Sequence, residues 1–555
     1  MKIGILIDKD SVDLWQYLIL KDIAYREDCQ LTIIVLGTKG CSNSNSNELV
    51  FRLLDYIDYQ IFVKIAKLLG IPDALENIDL ASVPESNFMS IGAVGVESKG
   101  PLVWLDESGI KKINELNFDL VLYFGVGILS GDILTIPRYG VFSIRHGGRV
   151  GRGNPENFIE TIKGQNEMYS SIQRINGSTE NNKPIYSSFS GTESHNVHYE
   201  NNRMYWKSTL FVNRLLDDIK NDNVDLSSRE CEFDGEDHYS ISGNCEMVRI
   251  LPRLLFGYAF DVSKTILSET QWMLLHCPIG RNIRDISSYN RIVPPRDRFY
   301  ADPFLISEDI NYIFFEEYMY LTAKAHISVM ELCSDGSHKK PSRIIEQPFH
   351  LSYPFIFRIG NEYFIVPESC KANRIDIYSC ESFPTKWRLY GTLMKDINAV
   401  DSTLLHHGGI WWLFSNIISR EGMSYNDELH LYYSKDVFSS DWVSHPKNPI
   451  ISDARTARPA GRIIIHDGRI IRPSQDCGPS YGYGISFNEI TKLSKTEYSE
   501  QRIASVYPKL DSDLRGIHTF NMDGGAAVID ARRCLPIAPN LLVGKLLSRS
   551  LTRKG

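Results

Sequence analysis

The stretch Asp302-Pro-Phe-Leu-Ile-Ser-Glu-Asp-Ile-Asn-Tyr-Ile-Phe-Phe-Glu-Glu317 decides the fold. It reads as a strand, a polar turn and a second strand rich in aromatic and β-branched residues. The same grammar returns at Tyr353-Pro-Phe-Ile-Phe, Asp401-Ser-Thr-Leu-Leu, Arg458-Pro-Ala-Gly-Arg-Ile and, more weakly, Gly516-Ile-His-Thr-Phe. The second residues of the copies are 303, 354, 402, 459 and 517, giving gaps of 51, 48, 57 and 58. A period near fifty with strand content predicts a five-bladed β-propeller rather than a β-sandwich. Hairpin turns follow at Gly360-Asn-Glu, His407-Gly-Gly and His466-Asp-Gly. Third strands follow at His326–Leu332, Arg374–Ser379 and Glu428–Ser434. The fifth copy supplies only two clear strands. The strand Gln271-Trp-Met-Leu-Leu-His-Cys277, just before the first copy, is therefore expected to complete that blade beside 517–530 and leave no open sheet edge.

The 555 residues are 43% hydrophobic and 23% charged, with a net charge of −8. That is an ordinary globular balance. It argues against a nucleic-acid binder, which would show a basic domain or stripe. Ten cysteines show neither CxxC pairs nor metal-ligand spacing. The expectation is a reduced, cytoplasmic chain with no metal site. The apolar run at Met1–Ile7 is too short for a signal peptide, and no run is long enough to span a membrane. A weak membrane-surface contact through the apolar, basic tail 536–555 is the one membrane role left open.

In the first half, Lys2–Ile7 and Leu31–Leu36 read as buried strands with a helix between them, the unit of a parallel sheet. Another buried strand, Phe118–Phe124, runs into a glycine-containing loop. The expected layout is an α/β domain over 1–210, a helical connector over 211–270, the propeller over 271–535 and the tail. Two segments, DLVLYFGVGILSGDILTIPRYGVFSIRHGG (119–148) and YSSIQRINGSTENNKPI (169–185), carry a resemblance to the formyltransferase fold. Such enzymes move a formyl group from formyltetrahydrofolate to an amine with an Asn, His and Asp trio. On this chain those places fall on Ser143, Arg145 (with His146 one place late) and Glu180. Arginine is never deprotonated near neutral pH and is no general base. The resemblance thus implies a retained fold with lost or changed chemistry. Formyltetrahydrofolate would be a cofactor only if His146 and Glu180 still worked. The following run Gly147-Gly-Arg-Val-Gly-Arg-Gly is glycine-rich and offers two arginines to an anion.

In a propeller the inner strands open near the axis. This brings Asp302, Tyr353, Asp401, Arg458 and His518 together, with Glu316 or Glu317, Glu368, Asn416 and Asp476 on the returning strands. Carboxylates gathered at one channel mouth suit glycosidic chemistry, with nearby aromatics (Tyr300, Tyr353, Trp411, Trp412, Tyr481, Tyr483) to stack on sugars. The plain alternative is that acidic residues at strand starts tie down neighbouring turns. The motifs RDRFYADPFL, HLSYPFIFRIGNEYFIVPES, AVDSTLLHHGGIWWLF and SDARTARPAGRIIIHDGRIIRPSQD resemble five-bladed glycosidases and fructosyltransferases such as arabinanases, β-xylosidases and levansucrases. They are closer still to the N-terminal domain of plant glucosamine inositolphosphorylceramide transferases. The resemblance implies Asp302 as base or nucleophile, Asp401 as a stabilising carboxylate and Glu368 as acid. Tyr353, Arg458, Arg472, Asp476 and His518 are then substrate-binding. Glu368 precedes Asp401 in the chain, and arginines replace carboxylates in the fourth copy, a departure from simple hydrolases that suits an anionic substrate.

These readings converge on a carbohydrate-active protein of surface-glycan or glycolipid assembly, acting by glycosyl transfer or cleavage on a carbohydrate, nucleotide-sugar or glycolipid substrate. An amino-sugar N-formyltransferase and an inactive glycan-binding scaffold are the alternatives.

Overall fold

The computed structural model describes residues 1–38, 49–83, 88–99, 102–125, 127–147, 167–176, 184–192, 194, 196–221, 252, 256–257, 268–277, 286–333, 336–508 and 513–536. Two compact units divide the chain. The first comprises 1–188, 194–258 and 420–424; the second comprises 189–193, 259–419 and 425–555.

The first unit is an α/β layer structure. Its strands are β1 (Lys2–Ile7), β2 (Gln30–Thr38), β3 (Phe88–Lys99), β4 (Leu102–Leu105), β5 (Leu120–Tyr123), β6 (Ile128–Leu129), β7 (Val141–His146), β8 (Glu167–Arg174) and β9 (Pro184–Gly191). They form one sheet in the order β9-β8-β7-β5-β1-β2-β3-β4-β6. β1 runs parallel to both β2 and β5, and β5 runs parallel to β7. The last five residues of β1 are buried, as continuous apolar strands are when helices cover a parallel sheet. The helices are α1 (Leu14–Ala24), α2 (Leu49–Leu69), α3 (Glu107–Leu116) and α4 (Val197–Lys220). Asn196 caps α4 by accepting the Tyr199 N–H at 2.7 Å, and buried Asp58 accepts the His198 N–H at 2.9 Å. The helix crosses residue 210, where the sequence suggested a domain edge, because its apolar spacing continues to Ile219. Most of the expected connector and nearly all of the tail lie outside the described residues.

The second unit is a five-bladed propeller. Its first four blades run inner strand to outer strand in chain order: 298–345, 352–395, 399–444 and 464–506. The fifth has Phe520–Asp523 innermost, then Ala526–Pro536, Ser268–Cys277 and Asn290–Ile292. The ladder runs without interruption from Ser268↔Pro536 to Cys277↔Ala527. The ring is thus closed by the strand expected to close it, since strand edges left unpaired are costly and prone to aggregation.

The axis is filled, not open. Tyr353 is fully buried; its hydroxyl meets Thr403 Oγ1 of the third blade at 2.8 Å and accepts the Gly461 N–H of the fourth at 2.7 Å. Gly461 has φ +121°, and a Cβ there would lie 2.0 Å from the Phe520 carbonyl oxygen, so only glycine fits. Asn521 of the fifth blade donates to the Pro303 carbonyl at 2.7 Å. Tyr353→Phe should leave a buried amide without an acceptor and cost about 1–3 kcal/mol. Urea unfolding checks this; an unchanged midpoint would mean that the hydroxyl does not hold the blades.

Candidate active site at the head of the propeller axis

Three inner strands open with the same irregularity. Asp302, Tyr353 and Asp401 have φ of +51°, +42° and +52°. The ladder slips beside each, between Ala301/Phe304, Ser352/Phe355 and Val400/Thr403. These are β-bulges with a left-handed residue. The bulge turns each backbone N–H toward a carboxylate. The Asp302 N–H goes to Asp530 Oδ2 at 2.9 Å, the Tyr353 N–H to Asp302 Oδ2 at 3.2 Å and the Asp401 N–H to Glu368 Oε2 at 3.3 Å. Asp401 in turn receives Arg458 Nε at 2.6 Å and Gln475 Nε2 at 3.0 Å. Arg458 also donates to Asn426 Oδ1 at 3.0 Å and lies 4.8 Å from the centre of the Tyr481 ring.

His518 stands between two carboxylates. Its Nδ1 is 2.6 Å from Asp530 Oδ2 and its Nε2 is 3.3 Å from Asp302 Oδ1. Trp272 covers the imidazole, with ring centres 4.0 Å apart. Thr519 Oγ1 donates to Asp302 Oδ1 at 2.8 Å. Burial pushes the Asp302 carboxyl up to about 8, against the pull of His518 and with added repulsion from Glu316, Asp401 and Asp530. Burial likewise raises Glu368 well above the usual carboxylate range, and Asp401 adds to it. For His518, burial favours the neutral ring, but Asp530 and Asp302 outweigh it and lift it above its ordinary value. One raised acid beside a carboxylate held by an arginine is the division of labour that acid/base chemistry on a glycosidic bond needs.

Asp302, His518 and Asp530 each offer a ligand atom, all within 4.8 Å of one another, so this trio could hold a metal ion. The cysteine and histidine spacing gave no sign of it, because the residues come from two blades and 228 positions of chain separate the two aspartates. Sequence reasoning also missed Asp530, Gln475, Thr519 and Trp272. Asp530 carries the nearest thing to a signal, an acid inside the apolar run Ala526–Ala531.

Other expected site residues lie elsewhere. Arg472 is buried in the fourth blade, with Glu500 bridging it at 2.8 and 2.6 Å and the Thr456 carbonyl at 2.6 Å, which leaves it no hand for a substrate. Asp476 accepts the Gly478 N–H at 3.0 Å and the Tyr507 hydroxyl at 2.9 Å. Tyr353 is an axial post with its hydroxyl engaged. Glu317 turns to Arg298, His326 and Ser328, which offset burial and hold it down to about 2, while Glu316 Oε1 lies 3.2 Å from His350 Nε2 and its charge repels that of Asp302. Of the aromatics, Trp412 is buried against Tyr433 and Trp411 stacks on His406; Tyr481 is the one beside Arg458 and His518.

In the first unit, Ser143 and Arg145 alternate with His146 along β7. His146 is buried; its Nε2 is 2.9 Å from Ser208 Oγ on α4, and its ring packs against Trp15 and Tyr205. Glu180 and the glycine-rich run after Gly147 lie outside the described residues.

The structure thus defines a five-bladed propeller with a buried carboxylate cluster at its axial head. Residues 277–524 match the family model described as glucosamine inositolphosphorylceramide transferase 1, N-terminal. Glucosamine inositolphosphorylceramide transferase 1 of Arabidopsis thaliana is 30% identical over 308 residues, which is 54% of this chain and 38% of that protein. Its namesake from Oryza sativa subsp. japonica is 36% identical over 206 residues, 36% of this chain and 27% of that protein. The chain therefore spans well under half the length of these relatives. Among solved structures, a family 117 glycoside hydrolase from Zobellia galactanivorans is similar at 12% identity and a TM-score of 0.32, over 48% of this chain and 91% of that one.

The raised Asp302 sets a pH dependence. Its folded value is about 8, against about 4 for an unperturbed aspartate. The folded state therefore holds a proton through this window, and the stability it contributes is lost as pH rises from about 4 to about 8. His518 shifts in the same sense. Asp302→Asn removes the first titration, so its unfolding free energy should fall less between pH 5 and pH 8 than that of the wild type. Parallel pH profiles of the two proteins would instead mean that Asp302 is ionised throughout.

Proposed function

We propose that the propeller acts on the glycosidic part of a glycolipid or surface glycan, by glycosyl transfer or cleavage at Asp302, Glu368 and Asp401. The observation that carries this reading is the convergence of these carboxylates from three blades on His518 and Arg458. The names of the matched relatives supply the substrate class, a sugar on an inositolphosphorylceramide. Their N-terminal region is the part matched, so transferase activity in this chain is a proposal resting on the site. Glu368 is the acid, because burial keeps its proton on until the leaving oxygen needs it. Asp401, held by Arg458 and Gln475, stabilises positive charge that develops on the sugar. Asp302 is the base or nucleophile. His518 beside it pulls toward the ionised form, against the burial that favours the proton. Tyr481 offers a stacking face beside Arg458. Cytoplasmic placement belongs to the same proposal, supported by the free thiols of Cys29, Cys277 and Cys477.

For the first unit we infer a formyltransferase-like layer with changed chemistry. The parallel strands β1, β5 and β7 support the fold reading. His146, turned onto α4, speaks against its use as a formyl-transfer base.

The test is turnover by the full chain, with nucleotide-sugar donors offered to inositolphosphorylceramide acceptors and with aryl glycosides for cleavage. Glu368→Gln and Asp302→Asn should each lower turnover by about 100-fold or more with the fold intact, the scale of losing one proton-transfer group. Wild-type turnover in both variants would remove these carboxylates from the chemistry. Glycan binding without turnover in any of the proteins would leave the scaffold reading.

A further inference from the structure

We propose that the first unit binds a phosphate group at the carboxyl end of β7, through the Arg145 guanidinium and the Ser143 hydroxyl. The site is separate from the propeller and does not rest on the function proposed for it.

Topology locates it. The chain passes from β1 to β2 on one side of the sheet, and β5 and β7 lie on the other. In open α/β sheets, ligands bind outside the carboxyl ends of the strands where the order reverses. β1 and β5 flank that switch point, and β7 is the next strand out, parallel to β5.

The side chains make it specific. Ser143 and Arg145 are two apart on β7 and share one face of the sheet. Their antiparallel partners on β8 are Gln173 and Ser171, so all four stand on the same face. Gln173 Nε2 donates to Ser171 Oγ at 3.0 Å. Ser143 Oγ and Arg145 Nε are both buried with no hydrogen-bond partner. Among the described residues no carboxylate pairs with Arg145. Among the described residues, by contrast, Arg472 pairs with Glu500, Arg458 with Asp401, and Arg298 with Asp297 and Glu317. Arginine stays charged at any ordinary pH. Arg145 is half-buried, and its Nε is shut from water with no acceptor, which is costly for a charged donor. An anion is the partner that such a site lacks.

A phosphate ester fits the donor set. Its oxygens accept the guanidinium fork and a serine hydroxyl at once. Asp8 lies at the other side of the crevice, after β1, where its Oδ1 would be 2.6 Å from a Cβ on Gly125. Two strand spacings, about 10 Å, separate the β1 and β7 ends. A negative group is thus drawn to Arg145 on the β7 side.

The experiment uses the full chain and three probes: inorganic phosphate, glucosamine 6-phosphate and uridine diphosphate. Calorimetric titrations are run at matched ionic strength in sodium chloride. Inorganic phosphate should bind saturably, and the tightest probe then identifies the source of the phosphate. Arg145→Met should weaken binding at least tenfold and Ser143→Ala a few-fold. Arg174→Met, an exposed arginine at the end of β8, should bind as the wild type does. Without phosphate, Arg145→Met should unfold at the same or a higher temperature than the wild type, because it loses an unpaired charge. Absence of saturable binding by every probe, unchanged binding in Arg145→Met, or a phosphate-free Arg145→Met protein that unfolds well below the wild type would each overturn the proposal. The last outcome would show that Arg145 has a structural partner.

Discussion

The propeller depends on one recurring interaction, a carboxylate of one blade accepting the backbone N–H of the bulged residue that opens the next. Asp530 holds Asp302, Asp302 holds Tyr353 and Glu368 holds Asp401. Arg458 continues the ring by pairing with Asp401, and the Phe520 N–H closes on the Ala460 carbonyl at 2.7 Å. A left-handed residue at each bulge aims the N–H sideways, out of its own ladder. Aspartate tolerates that conformation better than most residues; tyrosine at 353 does not, and is fixed there by packing and two hydrogen bonds. The five sheets have few ladder bonds to one another, so this inner ring and the closure by Ser268–Cys277 across the fifth blade are what make five hairpin-built units into one body.

The same ring limits the chemistry. A carboxylate that holds the next blade is fixed in place by that hydrogen bond, and fixed polar groups of this kind need no reorganisation to act. The cost is that burial favours the neutral form of Asp302 and Glu368. His518, pressed between Asp302 and Asp530 under Trp272, compensates in part. In the fifth blade His518 and Thr519, just before the inner strand, both address Asp302.

The propeller was legible in the sequence because its period, its turns and its alternation all repeat, and even the closing strand followed from counting two strands where four were needed. The axial carboxylates were legible for the same reason, since any residue that opens an inner strand must lie near the axis. What a repeat cannot reveal is which face of a returning strand a side chain takes. Glu316 and Glu317 adjoin, and the pleat sends one to His350 and the other to Arg298 and His326. Arg472 and Asp476 had the right place in the fourth copy, yet Glu500 and Tyr507, outside the motif, claim them. Asp530 escaped notice because it lies on the second strand of its blade, within a run that reads as core.

The first unit turns on the same period of two. A histidine displaced by one position along a strand is not a catalytic histidine moved by 3.3 Å; it is a histidine on the opposite face. At β7 the displacement puts His146 against α4, where Ser208, Trp15 and Tyr205 enclose it. Arg145 is left on the other face with Ser143. The face that carries Arg145 thus offers a fixed charge, and the face that carries His146 offers a titratable ring packed against α4.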